Sequence, residues 1–324
     1  MNNLEAIQNL KQQMLSKVIG QEKLIDKIII SLLARGNILI EGLPGLAKTR
    51  AVKTLSSIID AKFSRIQFTP DLSTEDILGE ERVYEENGKR LYKFHKGAIF
   101  GNIILADEIN RAPAKVQSAM LEAMEEKQVS VVGQVLKLPK LFMVLATQNP
   151  IEQYGTYPLA QAQKDRFLLH TIVDYVKMDD EYNMLKLLQQ EHIQTTDDIT
   201  KIPQEYILNA QKEVAKIEIP EEIGRYIVEL VFATRYPLRY SKQLSVMIEV
   251  GISPRGTLAL SQCSQAIAWL NHSPKVRVQD IHAVIHDVFR HRIVESHHTK
   301  ENGIKIDEIT DIVLGNVPLP SSDI

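Results

Sequence analysis

The sequence predicts an α/β fold: a mostly parallel sheet with helices on both faces, followed by a smaller all-helical domain. Three observations predict it. Short apolar runs at 38–40, 103–106 and 141–146 alternate with stretches of helical periodicity. Strand signals fade after about Asp179. From Pro203 onward the periodicity is helical throughout, over 204–216, 221–235, 255–271 and 278–292.

Taken in order, residues 21–35 place Leu24, Ile25, Ile28, Ile29, Leu32 and Leu33 on one helical stripe. The first apolar strand ends at Gly42, and a tight loop leads to Lys48-Thr49 at the start of a helix reaching about Ile59. Residues 63–68 alternate like a strand. The more polar stretch 70–97 carries Asn87-Gly88, a strong turn signal, between Arg82-Val83-Tyr84 and Leu91-Tyr92-Lys93-Phe94. It reads as a hairpin inserted between core elements. The strand at 103–106 runs into Asp107-Glu108, and a helix follows from Pro113 to Glu126. A small hairpin around Gly133 spans 129–138, the strand at 141–146 runs into Thr147-Gln148-Asn149, and 170–175 fits a fourth strand. Residues 181–190 are helical, and Thr195-Thr196-Asp197-Asp198 reads as a loop or linker. Pro220-Glu221-Glu222 and Ser253-Pro254-Arg255 start helices. The expected domains are therefore an α/β core over 1–194 and an all-helical domain over 195–324.

Composition narrows the class. The 324 residues give ample chain to bury a core, and 24% charged with 44% hydrophobic residues is ordinary for a soluble protein. A net charge of −3 carries no global bias toward nucleic acid or anionic lipid. The single cysteine, Cys263, excludes an internal disulfide and fits a reducing compartment. The N-terminus lacks a signal peptide's basic region and apolar run, and no stretch approaches the roughly 20 apolar residues of a membrane span. A cytoplasmic location is expected.

The loop at 42–49 points successive backbone N–H groups and the positive end of a helix dipole at one spot, which suits a polyphosphate. Lys48 would sit against the β- and γ-phosphates, and Thr49 would give its hydroxyl to Mg²⁺. Ala47 stands where such loops usually have Gly. The plain alternative is an ordinary strand-to-helix turn. Asp107-Glu108, at the end of the second apolar strand, supplies one carboxylate for Mg²⁺ and one to deprotonate an attacking water. The alternative is an acidic pair capping the next helix. Asn149 at the end of the next strand can position that water, or Asn149-Pro150 only starts a turn. His282 and His286, four apart on one predicted helix, are a possible metal pair, but no third ligand falls at a matching spacing.

Taken jointly, Gly42-Leu-Pro-Gly-Leu-Ala-Lys-Thr49, Leu105-Ala-Asp-Glu-Ile-Asn-Arg-Ala112 and Ala146-Thr-Gln-Asn-Pro150 resemble the MoxR family of AAA+ ATPases. So do Gly155-Thr-Tyr-Pro-Leu159, Asp165-Arg-Phe167 and Ser253-Pro-Arg255, and the likeness runs over nearly the whole chain. Alanine before the loop lysine is that family's usual form. The resemblance implies a P-loop NTPase core with a three-layer αβα arrangement and a hairpin insertion fitting 70–97, then a helical lid. It implies ATP and Mg²⁺ as ligands. Nucleotide contacts would come from Val18, Ile19, Gly42, Leu43, Pro44, Gly45, Leu46, Ala47, Lys48, Thr49 and Arg50, with Thr49 and Asp107 at the metal. Lys48 and Glu108 take catalytic roles, Asn149 matches sensor 1, Arg255 matches sensor 2 on the lid, and Arg166 matches the arginine finger reaching a neighbouring subunit's site. A homo-oligomer, a ring of about six, follows from the same resemblance. So does a client protein that is remodelled or assembled, in this family often one with a von Willebrand factor A-type domain.

Some positions depart from the family pattern. Ser73-Thr74 replaces a Leu-Pro pair, Ala160-Gln161 replaces Pro-Glu, and Lys164 replaces an apolar residue, which bears on the subunit contact near Arg166. Two other readings stand beside a hydrolysing remodeller. A DNA-dependent AAA+ motor is disfavoured by the acidic balance and the lack of a basic tract. A nucleotide-gated scaffold or regulator that does not hydrolyse is disfavoured by the presence of Glu108 and Asn149.

Overall fold

The structure is a computed structural model that describes residues 1–43, 45–86, 89–131, 133–149, 156–193 and 199–320. Pro44, the Asn87-Gly88 turn, Pro150, Gly155, the 195–198 loop and the expected domain boundary at 194/195 lie outside the described residues. The chain divides into two compact units. One comprises 1–29, 37–166 and 171–208; the other comprises 30–36, 167–170 and 209–324.

The first unit opens with a helix the sequence reading does not assign, α1 (Asn3–Lys17). Its start is locally determined: Asn2 accepts from Glu5 N at 2.8 Å while Glu5 returns a carboxylate to Asn2 N at 2.8 Å, a reciprocal capping box. Ala6, Ile7, Leu10 and Met14 form its buried stripe. The expected helix over 21–35 is α2 (Glu22–Leu33). Then come β1 (Ile38–Gly42), α3 (Lys48–Ile58), β2 (Phe63–Gln67), β3 (Ile103–Asp107), α4 (Ala114–Glu126), β4 (Met143–Gln148), β5 (Leu169–Val173) and α5 (Met178–Ile193). The five strands lie in the order β2-β3-β4-β1-β5, with parallel pairing of β2 to β3, β3 to β4 and β4 to β1. Non-consecutive neighbours of this kind require helical crossovers, which is what the apolar runs separated by amphipathic helices encode.

Register decides where chemistry can be placed. Gln67 pairs with Asp107, Ala106 with Ala146, and Ile40 with Thr147, so the carboxyl ends of four strands finish along one edge. That edge of a parallel sheet is where ligands bind in open α/β folds.

The stretch after β2 forms a short helix (Thr74–Leu78) and a two-stranded hairpin, Gly79–Glu86 against Lys89–Lys96. The hairpin leaves Val83, Tyr84, Leu91 and Tyr92 exposed. Its root is very close-packed. Gly79 has φ +103°, and a Cβ there would stand 2.1 Å from His95 O; one on Gly97 would stand 2.2 Å from Ile77 O. Only glycine fits at either place. The second hairpin pairs Gln128–Val131 with Gln134–Lys137, with Gly133 at φ +72°.

In the second unit α6 (Gln204–Val214), which begins in the first, leads to α7 (Glu221–Arg235), α8 (Pro254–Leu270) and α9 (Ile306–Asn316), joined by shorter helices. The periodicity reads this unit correctly in outline and wrongly in two details. The helix expected over 278–292 is two short helices, Val278–His282 and Ile285–Phe289. Val284, at φ −132° and with its N–H bonded back only three residues to Ile281 O, leaves helical space between them. The buried stripe of Ile281, Val284, Ile285 and Val288 survives the break, so the spacing cannot reveal it. Strand signals also do not vanish: Ile248–Val250 pairs antiparallel with Val294–Glu295, a ladder too short for alternation to show. Cys263 is buried, and buried Trp269 donates its Nε1–H to Glu213 at 3.2 Å. Among the described residues, no helix is long and apolar enough to cross a membrane.

Candidate functional site

The loop after β1 and the ends of β2, β3 and β4 surround a cavity of about 450 Å³. Gly42, Gly45, Leu46, Ala47, Lys48, Thr49 and Arg50 line it from the loop side. Gly45 (φ +88°) and Ala47 (φ +57°) both lie in the left-handed region, which turns the backbone abruptly into α3. No side chain caps the α3 N-terminus, so its first N–H groups and dipole are available to an anion. Lys48 folds back to donate to Gly42 O. Burial lowers its pKa from the ordinary 10.5, opposed by the charges of Asp107, Glu108 and Glu41.

Opposite the loop stand Asp107, Glu108, Thr147 and Asn149. Thr147, buried at the end of β4, donates its hydroxyl to Asp107 Oδ1 at 2.7 Å and accepts from Glu108 N at 2.9 Å. One side chain thus fixes both acids. Glu108 adopts φ +57°, and its carboxylate makes no cap to the turn at 109–111. It takes Gln67 Nε2 at 3.1 Å and Arg111 Nε at 3.1 Å instead, so the helix-capping alternative does not hold. Arg65 closes on Asp107 Oδ2 at 2.7 Å. Lys48, Thr49, Asp107, Glu108 and Asn149 therefore share one cleft.

A narrow apolar pocket of about 40 Å³ shares Ala47 and Arg50 with that cavity. Val18 and Ile19 line it together with Met184, Leu187 and Leu188 of α5. Arg50 spans its rim, donating to Lys17 O at 2.6 Å and pairing with Glu191 at 2.6 Å. The sequence reading misses the α5 wall, although Met184, Leu187 and Leu188 sit at helical spacing. It also misses Thr147, Arg65 and Gln67, whose roles come from register across strands, and Arg111, which lies only three residues beyond Glu108.

The remaining candidates stand elsewhere. Leu43 is half-buried and does not line the cavity. Arg166 pairs with Glu125 of α4 at 2.6 Å, not with a neighbour in sequence. Arg255 is exposed at the start of α8, where Ser253 accepts from its backbone N–H at 3.2 Å. His282 and His286 lie on separate short helices. His282 meets Tyr226 OH at 2.9 Å and His286 meets Asp311 at 2.8 Å, so the pair does not form a metal site.

Comparison with known proteins agrees with this geometry. Residues 37–169 match the ATPase family associated with various cellular activities (AAA), and residues 243–312 match the AAA lid domain. The chain is 38% identical over 309 residues to Chaperone MoxR1 of Mycobacterium tuberculosis (strain ATCC 25618 / H37Rv), spanning 94% of this chain and 79% of that one. The chain belongs to the MoxR family of AAA+ ATPases. It is also 39% identical over 306 residues to YeaC of Bacillus subtilis (strain 168), covering 94% and 91% of the two chains. A crystal structure of a Cytophaga hutchinsonii ATCC 33406 protein assigned as a candidate ATPase superposes with TM-score 0.91 at 37% identity, covering 98% of this chain and 95% of that one. For a MoxR-family chain, the αβα core, the helical lid and a nucleotide site at the strand ends are the expected parts. The oligomeric habit of AAA+ chaperones is a family trait.

Proposed function

We propose that this MoxR-family protein binds and hydrolyses ATP with Mg²⁺ and uses the cycle to remodel or assemble a client protein. The observation that carries the reading is the single cavity receiving Lys48 and Thr49 from one side and the Thr147-braced acids from the other. A cation on a half-buried stem, open helix amides and left-handed loop residues suit a triphosphate. The adjoining apolar pocket suits a planar base, with Val18 and Ile19 on one wall and α5 on the other. The donor set fits Mg²⁺, which takes few carboxylates and relies on phosphate oxygens for the rest. Thr49 and Asp107 would hold the ion, which when bound neutralises phosphate charge.

The chain's own residues divide the work. Lys48 binds the terminal phosphates. Glu108, steered by Gln67, accepts the proton of the attacking water. Asn149 orients that water. Arg166, supplied by a neighbouring copy in a ring, stabilises charge on the transferred group, and Arg255 reports the nucleotide state from the lid.

The test is Glu108→Gln. It is expected to bind ATP with unchanged affinity while turnover falls roughly 10²–10⁴-fold. Normal turnover in that variant would remove the catalytic assignment. Wild-type specific activity should rise with protein concentration, and an activity flat with dilution would remove the assignment of Arg166 to a neighbour's site. Glu108→Gln is also the trap with which to capture clients.

A further inference from the structure

Three consecutive residues of the second unit, Arg290, His291 and Arg292, spend their side chains on one short piece of backbone. Arg292 Nη2 donates to Phe167 O at 2.6 Å, and Arg292 Nη1 donates to Leu168 O at 3.1 Å and Val288 O at 2.6 Å. His291 Nε2 donates to Phe167 O at 3.0 Å, and Arg290 Nη1 to His170 O at 2.5 Å. Because Nε2 faces Phe167 O, it is the nitrogen that carries the proton, and burial beside Arg292 and His170 keeps the ring neutral, its pKa well below 6.5. Arg290 is itself held by Asp287 at 3.0 Å and Asp307 at 2.9 Å. The stem of Arg292 rests on Gly256, where an added Cβ would stand 3.1 Å from Arg292 Cδ. Arg292 and His291 are each only 4% exposed.

This is a large commitment of buried polar groups to one short segment. What distinguishes residues 167–170 is their place in the chain: they follow Arg166 directly, and they belong with the helical unit although Arg166 does not. An arginine that must reach a reacting phosphate is useful only if its backbone is held, since displacement by about 1 Å can cost roughly 10²-fold in rate. We propose that Arg290, His291 and Arg292 are positioning residues for Arg166. They anchor the backbone one residue beyond it. The proposal rests on the reading of Arg166 as a group acting on a neighbouring copy's site.

The test is complementation in trans with the full-length chain. Arg292→Lys keeps the charge and loses the planar fork. Its own nucleotide cavity is untouched, so its ATP affinity should match wild type while kcat falls roughly 10²-fold. Mixed with excess Glu108→Gln, whose own site is dead but whose Arg166 is properly held, it should recover turnover. Arg166→Ala mixed with the same partner is the reference. If Arg166→Ala recovers and folded Arg292→Lys does not, the positioning proposal is overturned. If Arg166→Ala also fails to recover, the trans assignment itself is what falls. Should Arg292→Lys not fold, His291→Gln and His291→Leu decide. Gln retains an Nε2–H donor and should keep turnover, Leu should lose it with ATP affinity intact, and equal activity in the two overturns the proposal.

Discussion

The strand-end cavity and the buried clasp on residues 167–170 use charge in opposite ways. In the cavity, cations and acids face each other half-exposed: Arg65 holds Asp107, Arg111 and Gln67 hold Glu108, and Lys48 rests on a carbonyl. These are exchangeable partnerships, weak enough in partial solvent to give way to a ligand. In the clasp, Arg292 is buried and bonded to three carbonyls at once. Such a group is fixed, because removing it strands its acceptors away from water. A site that must change state keeps its charges loosely paired, and a support that must not yield buries them.

Four measurements test that contrast. Arg292→Ala should destabilise the protein most, by on the order of 3 kcal/mol in denaturant unfolding, since Leu168 O and Val288 O lose their Arg292 donor and Phe167 O is left with His291 alone. A loss under about 1 kcal/mol would make the clasp exchangeable after all. Next comes Thr147→Val, which removes the bridge between Asp107 and the Glu108 backbone. It should cost about 2 kcal/mol, visible in stability and as a fall in kcat exceeding any change in KM.

Acid should act on the clasp through His291. Its folded pKa lies well below 6.5, so between that value and 6.5 the unfolded chain holds a proton that the folded chain does not. Stability therefore rises with pH across this window and is lost as pH falls below 6.5, by at most about 1.4 kcal/mol per pH unit per proton. His282, shifted the same way by partial burial and by His286, adds a smaller slope. A melting temperature flat from pH 7 to 5, or an unchanged slope in His291→Gln, would contradict this. The smallest effect belongs to Arg65→Ala. Arg65 is 48% exposed and its tie to Asp107 is screened, so stability should shift by less than about 1 kcal/mol. A larger loss would place the cavity's charges in the fixed class.

The same contrast explains what could be read without coordinates. Asp107 and Glu108 directly follow one apolar run, and Lys48 and Thr49 close the glycine-bearing loop after another, so local spacing announces them. Thr147 and Gln67 gain their roles only when parallel register sets them beside Asp107 and Glu108. The clasp joins residues more than 120 positions apart, and an Arg-His-Arg triplet near a chain's end looks like ordinary surface until its acceptors are known. α1 carries only a weak apolar stripe, and its start rests on a reciprocal cap at Asn2 and Glu5. The break at Val284 leaves no trace in the spacing because the stripe passes through it unchanged.

The two glycines at the root of the exposed hairpin have a mechanical meaning. With His95 O and Ile77 O pressed where side chains would otherwise begin, the root has no slack. A side chain at either position would have to displace the backbone that holds the hairpin. Gly97→Ala would re-aim the hairpin, with Val83, Tyr84, Leu91 and Tyr92, while leaving every group around the strand-end cavity in place.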